Sequence, residues 1–185
     1  MSSAIINIIE KISVYEIVNS VIPGSIYIVM MESLTRFRIL TGSLFFDVVL
    51  IYFAGLVISR IGSLFLEPLF RWEYKKGKAF LVFAPYGDYL KAEMIDKSGR
   101  VRYLSMVNNM FRCLTATVFC ILLTVIYNYM QPKLYSWGIN NNSLTVIGSA
   151  FLVLLFAFSY KKQTEYVKKR VEFVLADNEK QEITK

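Results

Sequence analysis

Histidine is absent from all 185 residues. That gap removes the usual general base, the side chain that most readily changes charge near neutral pH, and the commonest metal ligand. Cysteine is almost as scarce. Cys113 and Cys120 lie seven apart in one apolar run, where a helix puts them on a shared face beyond disulfide reach, so they read as small packing residues. There is no glycine-rich phosphate loop, no HExxH, no Asp/Asn ladder for calcium and no Ser–His or Cys–His pair. No catalytic residue, cofactor or metal is therefore expected, and the chain reads as a non-enzyme. The N-terminus also lacks a basic n-region and a small-residue cleavage site, which leaves targeting to the helices themselves.

What is present is apolar surface. Hydrophobic residues make up 55% of the chain and the mean hydropathy is +0.45, too apolar for a water-soluble domain of this length to cover. Long uncharged runs alternate with blocks that hold nearly all the Lys and Arg, whereas a soluble bundle spreads its charge along every helix. Four transmembrane helices follow. The first covers Val14 to Met31, but its uncharged core between Glu16 and Glu32 is short of the ~20 residues a span needs and holds Asn19, Ser20 and Pro23–Gly24. It is read as a kinked span, with a re-entrant element as the alternative. The second runs from Ile39 through Ser59 to Leu66, interrupted by Asp47 and by an Arg60 able to snorkel, and Pro68 marks its stop. Cys113 to Pro132 is the third and Ser143 to Tyr160 the fourth, with Ser143 at the N-cap position and a turn region over Gln131–Asn142 between them.

The fold class expected is an all-α integral membrane protein, with a helical cytoplasmic insertion between spans two and three and a C-terminal cytoplasmic helix. The segments are 1–66, 67–112, 113–160 and 161–185. Lys and Arg crowd into the second and fourth of these, so the positive-inside rule puts both, and with an even number of spans the N-terminus, in the cytoplasm. Within the insertion, Ala79–Ala84 is a short strand or an interface-lying turn. Asp88 caps a short helix reaching Ile95, and Ser98 caps another that runs from Arg100 directly into the third span. Val167, Val171 and Val174 recur at helical spacing among basic residues, which continues the fourth helix as an amphipathic stalk.

Asp47 is the one acidic residue well inside a span, at a depth where Tyr27 and Thr124 could come near. It is either a proton, ion or pore-lining group, or a hydrogen-bonded contact between helices. Gly55, Ser59, Gly62 and Ser63 give the second helix a small-residue face that packs another helix closely, within the chain or between protomers of a homo-oligomer. Asn108, Asn109 and Arg112 form a polar knot at the entrance to the third span, where Arg112 can pair with Glu67 or with lipid phosphate. Arg71, Lys75, Lys76 and Lys78, with Lys168, Lys169 and Arg170, suit anionic lipid headgroups or an acidic partner; direct nucleic-acid binding is not expected.

Val21–Ile22–Pro23–Gly24, the stretch from Gly55 to Gly62 leading to Glu67–Pro68, Tyr89 with Ala92–Glu93 and Asp96, and Asn108–Asn109–Met110–Phe111–Arg112 carry a resemblance over most of the chain. The pattern resembles small bacterial membrane proteins found beside anti-phage defence genes, and in size and four-span layout it is similar to the membrane subunit of the Kiwa system. The resemblance implies an oligomeric sensor or scaffold in the bacterial inner membrane, working with a cytoplasmic, DNA-binding partner protein; it offers no catalytic residues to carry over. The rival expectations are a pore or small transporter with Asp47 in the pathway, and a membrane toxin that depolarises cells.

Overall fold

A proline inside a helix cannot donate to the carbonyl four residues back, and its ring crowds that carbonyl. Pro23 and Pro68 meet this constraint in the same way: each follows a widened π turn, Ile17–Val21 in one case and Gly62–Leu66 in the other. In these turns the Ile22 N–H reaches the Ile17 carbonyl and the Glu67 N–H reaches the Gly62 carbonyl, so the ladder shifts register just before the ring arrives. Helicity then continues on both sides.

The computed structural model describes residues 14–72, 81–136 and 141–183, all of them in helices or irregular connections. Helix α1 is Val14–Leu34. Helix α2 joins Leu44–Ile61, the second π turn and Glu67–Trp72. Helix α3 is Tyr86–Ile95, α4 is Arg100–Ser136 and α5 is Asn141–Ile183. Four of these, α1, α2, α4 and α5, are long and apolar enough to cross a membrane. At about 1.5 Å per residue, the 37 residues of α4 and the 43 of α5 exceed the ~30 Å of a hydrocarbon core, so both extend beyond their apolar runs.

Several boundaries differ from the sequence reading. The first segment is one continuous helix. The second begins at Leu44 rather than Ile39 and passes straight through Pro68, because the π turn removes the conflict that would have stopped it. Helix α4 likewise continues through Pro132 to Ser136, and α5 begins at Asn141, which puts Ser143 inside the helix. Pro85 rather than Asp88 stands at the start of α3, and Leu81–Pro85 forms no strand. The start of α4 is held chiefly by Asp96. Its carboxylate accepts the Val101 N–H at 2.7 Å, the Ser98 N–H at 2.9 Å and the Ser98 hydroxyl, across a turn in which Gly99 adopts φ +69°. Those bonds, the Ser98 hydroxyl first, hold the Asp96 carboxyl below the usual carboxylate range. The cuts at 66, 112 and 160 are thus changes of polarity along unbroken helices.

Helices α1, α2 and α4 pack together, and α5 lies on α2 and α3. Ile58, Leu66, Ala116 and Cys120 form the buried core, with Tyr27, Ile61 and Phe70 against it. Both cysteines are free and buried at this interface. The tightest approach is between backbones. A Cβ on Gly55 would lie 1.8 Å from the Ser20 carbonyl oxygen, and one on Gly24 would lie 2.0 Å from that of Ile51. Between helices in lipid, which offers no hydrophobic drive, close packing of this kind is what supplies attraction. The first π turn contributes directly, since Ser20 lies within it, and buried Asn19 there donates its side-chain amide to the Tyr15 carbonyl at 2.8 Å.

Because the obstacles are backbone atoms, Gly55→Ala forces α1 and α2 apart and is expected to cost about 3 kcal/mol, the upper end for overpacking. Gly148 has open space around its Cβ position, so Gly148→Ala should change stability by no more than ~1 kcal/mol, towards gain. Thermal unfolding of the two variants in the same mild detergent checks this; equal melting temperatures would remove the backbone contact as a determinant.

Candidate functional site

The apolar runs of all four long helices give way to charge at one end of the bundle. A buried carboxylate sits there. Glu67, first residue after the second π turn, has its side chain only 9% exposed and draws in cations from three helices' worth of chain. Arg71, one turn along α2, bonds its Oε1 at 2.8 Å; Arg112 from α4 bonds Oε2 at 3.0 Å, and Lys162 from α5 lies 3.5 Å from the same oxygen. Lys162 also donates to the carbonyl and the hydroxyl of Ser63, both at 2.8 Å. The Arg112–Glu67 pairing read from the sequence is therefore present, as one arm of a larger cluster.

The cluster forms part of the wall of a cleft of about 930 Å³. Among the described residues, Arg60, Arg71, Arg112, Lys162 and Lys169 line it, against Glu67 as the one carboxylate, a formal surplus of four positive charges. Phe83, Tyr86, Tyr89 and Tyr166 supply aromatic wall, and Asn108 and Asn109 supply amides. The aromatic side is itself braced: the Arg71 guanidinium lies 4.1 Å from the Phe83 ring centre, and the Tyr86 and Tyr166 rings are 5.3 Å apart. Arg170 reaches Glu93 at 3.4 Å, which ties α5 to α3.

The structure gathers Arg71, Asn108, Asn109, Arg112 and Lys169 into this one cleft. Lys168 is spent elsewhere, on Glu172 at 3.7 Å, and Lys75, Lys76 and Lys78 lie outside the described residues. Arg60 was read from the sequence only as a snorkelling side chain, and Lys162, Phe83 and Tyr166 were not named as site residues. A signal for part of this existed: Ser63, Glu67 and Arg71 recur every fourth residue, one helical face that an assumed stop at Pro68 concealed.

Asp47 differs from its sequence assignment as a residue well inside a span. It lies in the first turn of α2, where its carboxylate accepts the Thr41 N–H at 2.7 Å and the Thr41 hydroxyl at 3.0 Å. Glu32 acts similarly on the same loop, accepting the Ile39 and Leu40 N–H groups at 2.7 and 2.9 Å. Tyr27 and Thr124 bond each other at 2.9 Å, and since the Thr124 hydroxyl donates to the Cys120 carbonyl, Tyr27 is the donor between them. The small-residue face is used inside the chain: Gly55 meets α1, Gly62 fits against Ala116 and Arg112 of α4, and Ser63 accepts Lys162 of α5, with Ser59 half-buried.

Glu67→Gln keeps the shape and removes the charge that holds three cations together. It is expected to destabilise by about 3 kcal/mol, as breaking a buried pair does. Arg71→Gln removes a half-exposed partner and should cost under ~1 kcal/mol. The difference in melting temperature between the two variants reads this directly, and equal losses would mean that Glu67 is not the hub.

Comparison of the chain with protein-family models, with curated proteins and with solved structures gives no match in any of the three.

Proposed function

We propose that this chain is an oligomeric subunit of a membrane-bound sensor or scaffold, of the bacterial anti-phage kind that its motifs resemble, and that its basic end receives a cytoplasmic partner protein. The observation that carries the proposal is on α5. Val167, Val171 and Val174 follow one another at steps of four and three, the spacing of a coiled-coil seam, and are 53%, 51% and 39% exposed. They lie beyond the apolar run that ends at Tyr160, which supports a position outside the hydrocarbon. An aliphatic seam in water is a surface awaiting a partner. A second copy supplies an identical one, and anchoring in a membrane raises the local concentration that a seam this short requires.

The seam replaces the small-residue face as the basis for self-association. On the insertion, exposed Met94 and Ile95 of α3 offer a separate apolar contact for the soluble partner. The distribution of Lys and Arg supports a cytoplasmic location for this whole end, with both termini on the same side. A pore with Asp47 in its path has less support, because Asp47 is engaged by Thr41 at the helix start.

Purification from the native host in mild detergent, with mass determination, is expected to give a multiple of the 21.4 kDa chain carrying a stoichiometric soluble protein. Val171→Glu should reduce the assembly to single chains without lowering the melting temperature; a wild-type monomer with no stable partner would overturn the proposal. For orientation, a membrane-impermeant maleimide applied to intact cells should label Lys133→Cys and leave Lys97→Cys unlabelled until the cells are opened, and the reverse pattern would invert the topology.

A further inference from the structure

The basic cleft has more positive charge than its own carboxylate can balance, and part of its hydrogen-bonding capacity is unused. Arg112 donates to Glu67 through Nη1, yet its Nε is buried without an acceptor among the described residues. A buried guanidinium donor left unpaired is costly, and it marks a place where an acceptor belongs. Arg60 and Lys169, on α2 and α5, line the same cleft and make no ion pair among the described residues. The remaining wall is aromatic and amide, and at about 930 Å³ the space is of the size that small ligands occupy, roughly 300–1,000 Å³.

We infer that the cleft is a binding site for a phosphate ester. The phosphate takes the surplus charge of Arg60 and Lys169, beside Arg112, whose enclosed Nε–H shows that the guanidinium's own hydrogen bonding is incomplete. Guanidinium and ammonium groups are the side chains that hold phosphate oxygens by charge-assisted hydrogen bonds. Asn108 and Asn109 are placed to bond the polar remainder of the ligand, beside the Tyr86 and Tyr166 rings. The cleft lies at the level where the apolar runs end, between Arg112 and Cys113 on α4 and between Tyr160 and Lys161 on α5, which is the depth of a phospholipid headgroup. An anionic headgroup therefore shares its chemistry with a soluble nucleotide as the two sources of such a phosphate. The site is independent of the partner-docking proposal, since it is complete in one chain.

Delipidated protein in a neutral detergent separates the possibilities. Its melting temperature is followed on adding phosphatidylglycerol, phosphatidylcholine or ATP. Two variants accompany the wild type: Arg60→Gln with Lys169→Gln inside the cleft, and Lys161→Gln with Lys168→Gln outside it. Neither touches the Glu67 cluster, and both remove the same charge. Phosphatidylglycerol is expected to stabilise the wild type more than phosphatidylcholine does, with an apparent affinity about tenfold or more weaker in the cleft variant and unchanged in the outer one. Stabilisation by ATP that is lost in the cleft variant alone supports the same phosphate site and assigns it a soluble ligand. Absence of stabilisation by either phosphate probe, or equal losses in the two variants, overturns the inference.

Discussion

The Glu67 carboxylate is the point on which the charged end of this protein depends. A lone charge buried in that position would be costly, and Arg71, Arg112 and Lys162 would repel one another without the carboxylate. Each group makes the others tolerable. The consequence is architectural, because the three cations come from α2, α4 and α5, and the one carboxylate therefore fixes the spacing of helices that otherwise differ greatly in how closely they pack. Helix α5 is the clearest case. It lies at the side of the bundle on α2 and α3, with much of its apolar face exposed, and Lys162 and Arg170 fasten it by polar bonds at its charged half.

In the apolar half the problem is different, and so is the solution. For helices apolar enough to cross a membrane, lipid would solvate aliphatic side chains as well as a neighbouring helix does, so association would rest on close packing and a few polar bonds. Gly24 and Gly55 let α1 and α2 meet backbone to backbone, and the Tyr27–Thr124 hydrogen bond joins α1 to α4. The two π turns belong to this scheme. Each relieves a proline, and each brings a small residue to a close helix contact: Ser20 against Gly55 in one, Gly62 against Ala116 in the other. The same register shift sets Glu67 at the mouth of the cleft, so the device that accommodates Pro68 also positions the hub.

Much of this was legible in the sequence. The four apolar runs gave the four long helices, the spacing of Val167, Val171 and Val174 gave the extension of α5, and Glu67 was one of the two partners that charge and position offered Arg112, the other being lipid phosphate. Three things were hidden. Pro68 and Pro132 looked like stops because a π turn, or a continued helix past the ring, leaves no residue signature. Asp47 looked well inside a span because Ile39 and Leu40 carry the apolar run back past the true helix start at Leu44, and only the bonds from Thr41 reveal that start. The cleft itself was illegible, since its lining comes from all five helices and the 81–85 segment, and periodicity within one helix says nothing about which charges of α2, α4 and α5 meet.

The surplus charge of the cleft ties stability to occupancy. Among the described residues, five cations around one carboxylate are a source of self-repulsion, and the Arg112 Nε has no acceptor. Any anion that binds there offsets the repulsion, and by linkage it stabilises the folded bundle once its concentration exceeds its dissociation constant. The groups that hold it would belong to three helices, so its binding would draw α2, α4 and α5 together at the end where the stalk of α5 leaves the bundle. A seam at Val167, Val171 and Val174 mounted on that same helix inherits the orientation set below it. Occupancy of the cleft would in this way bear on a single quantity, the position of α5 against its neighbours, because Lys162 and Lys169 of α5 line it together with residues of α2 and α4.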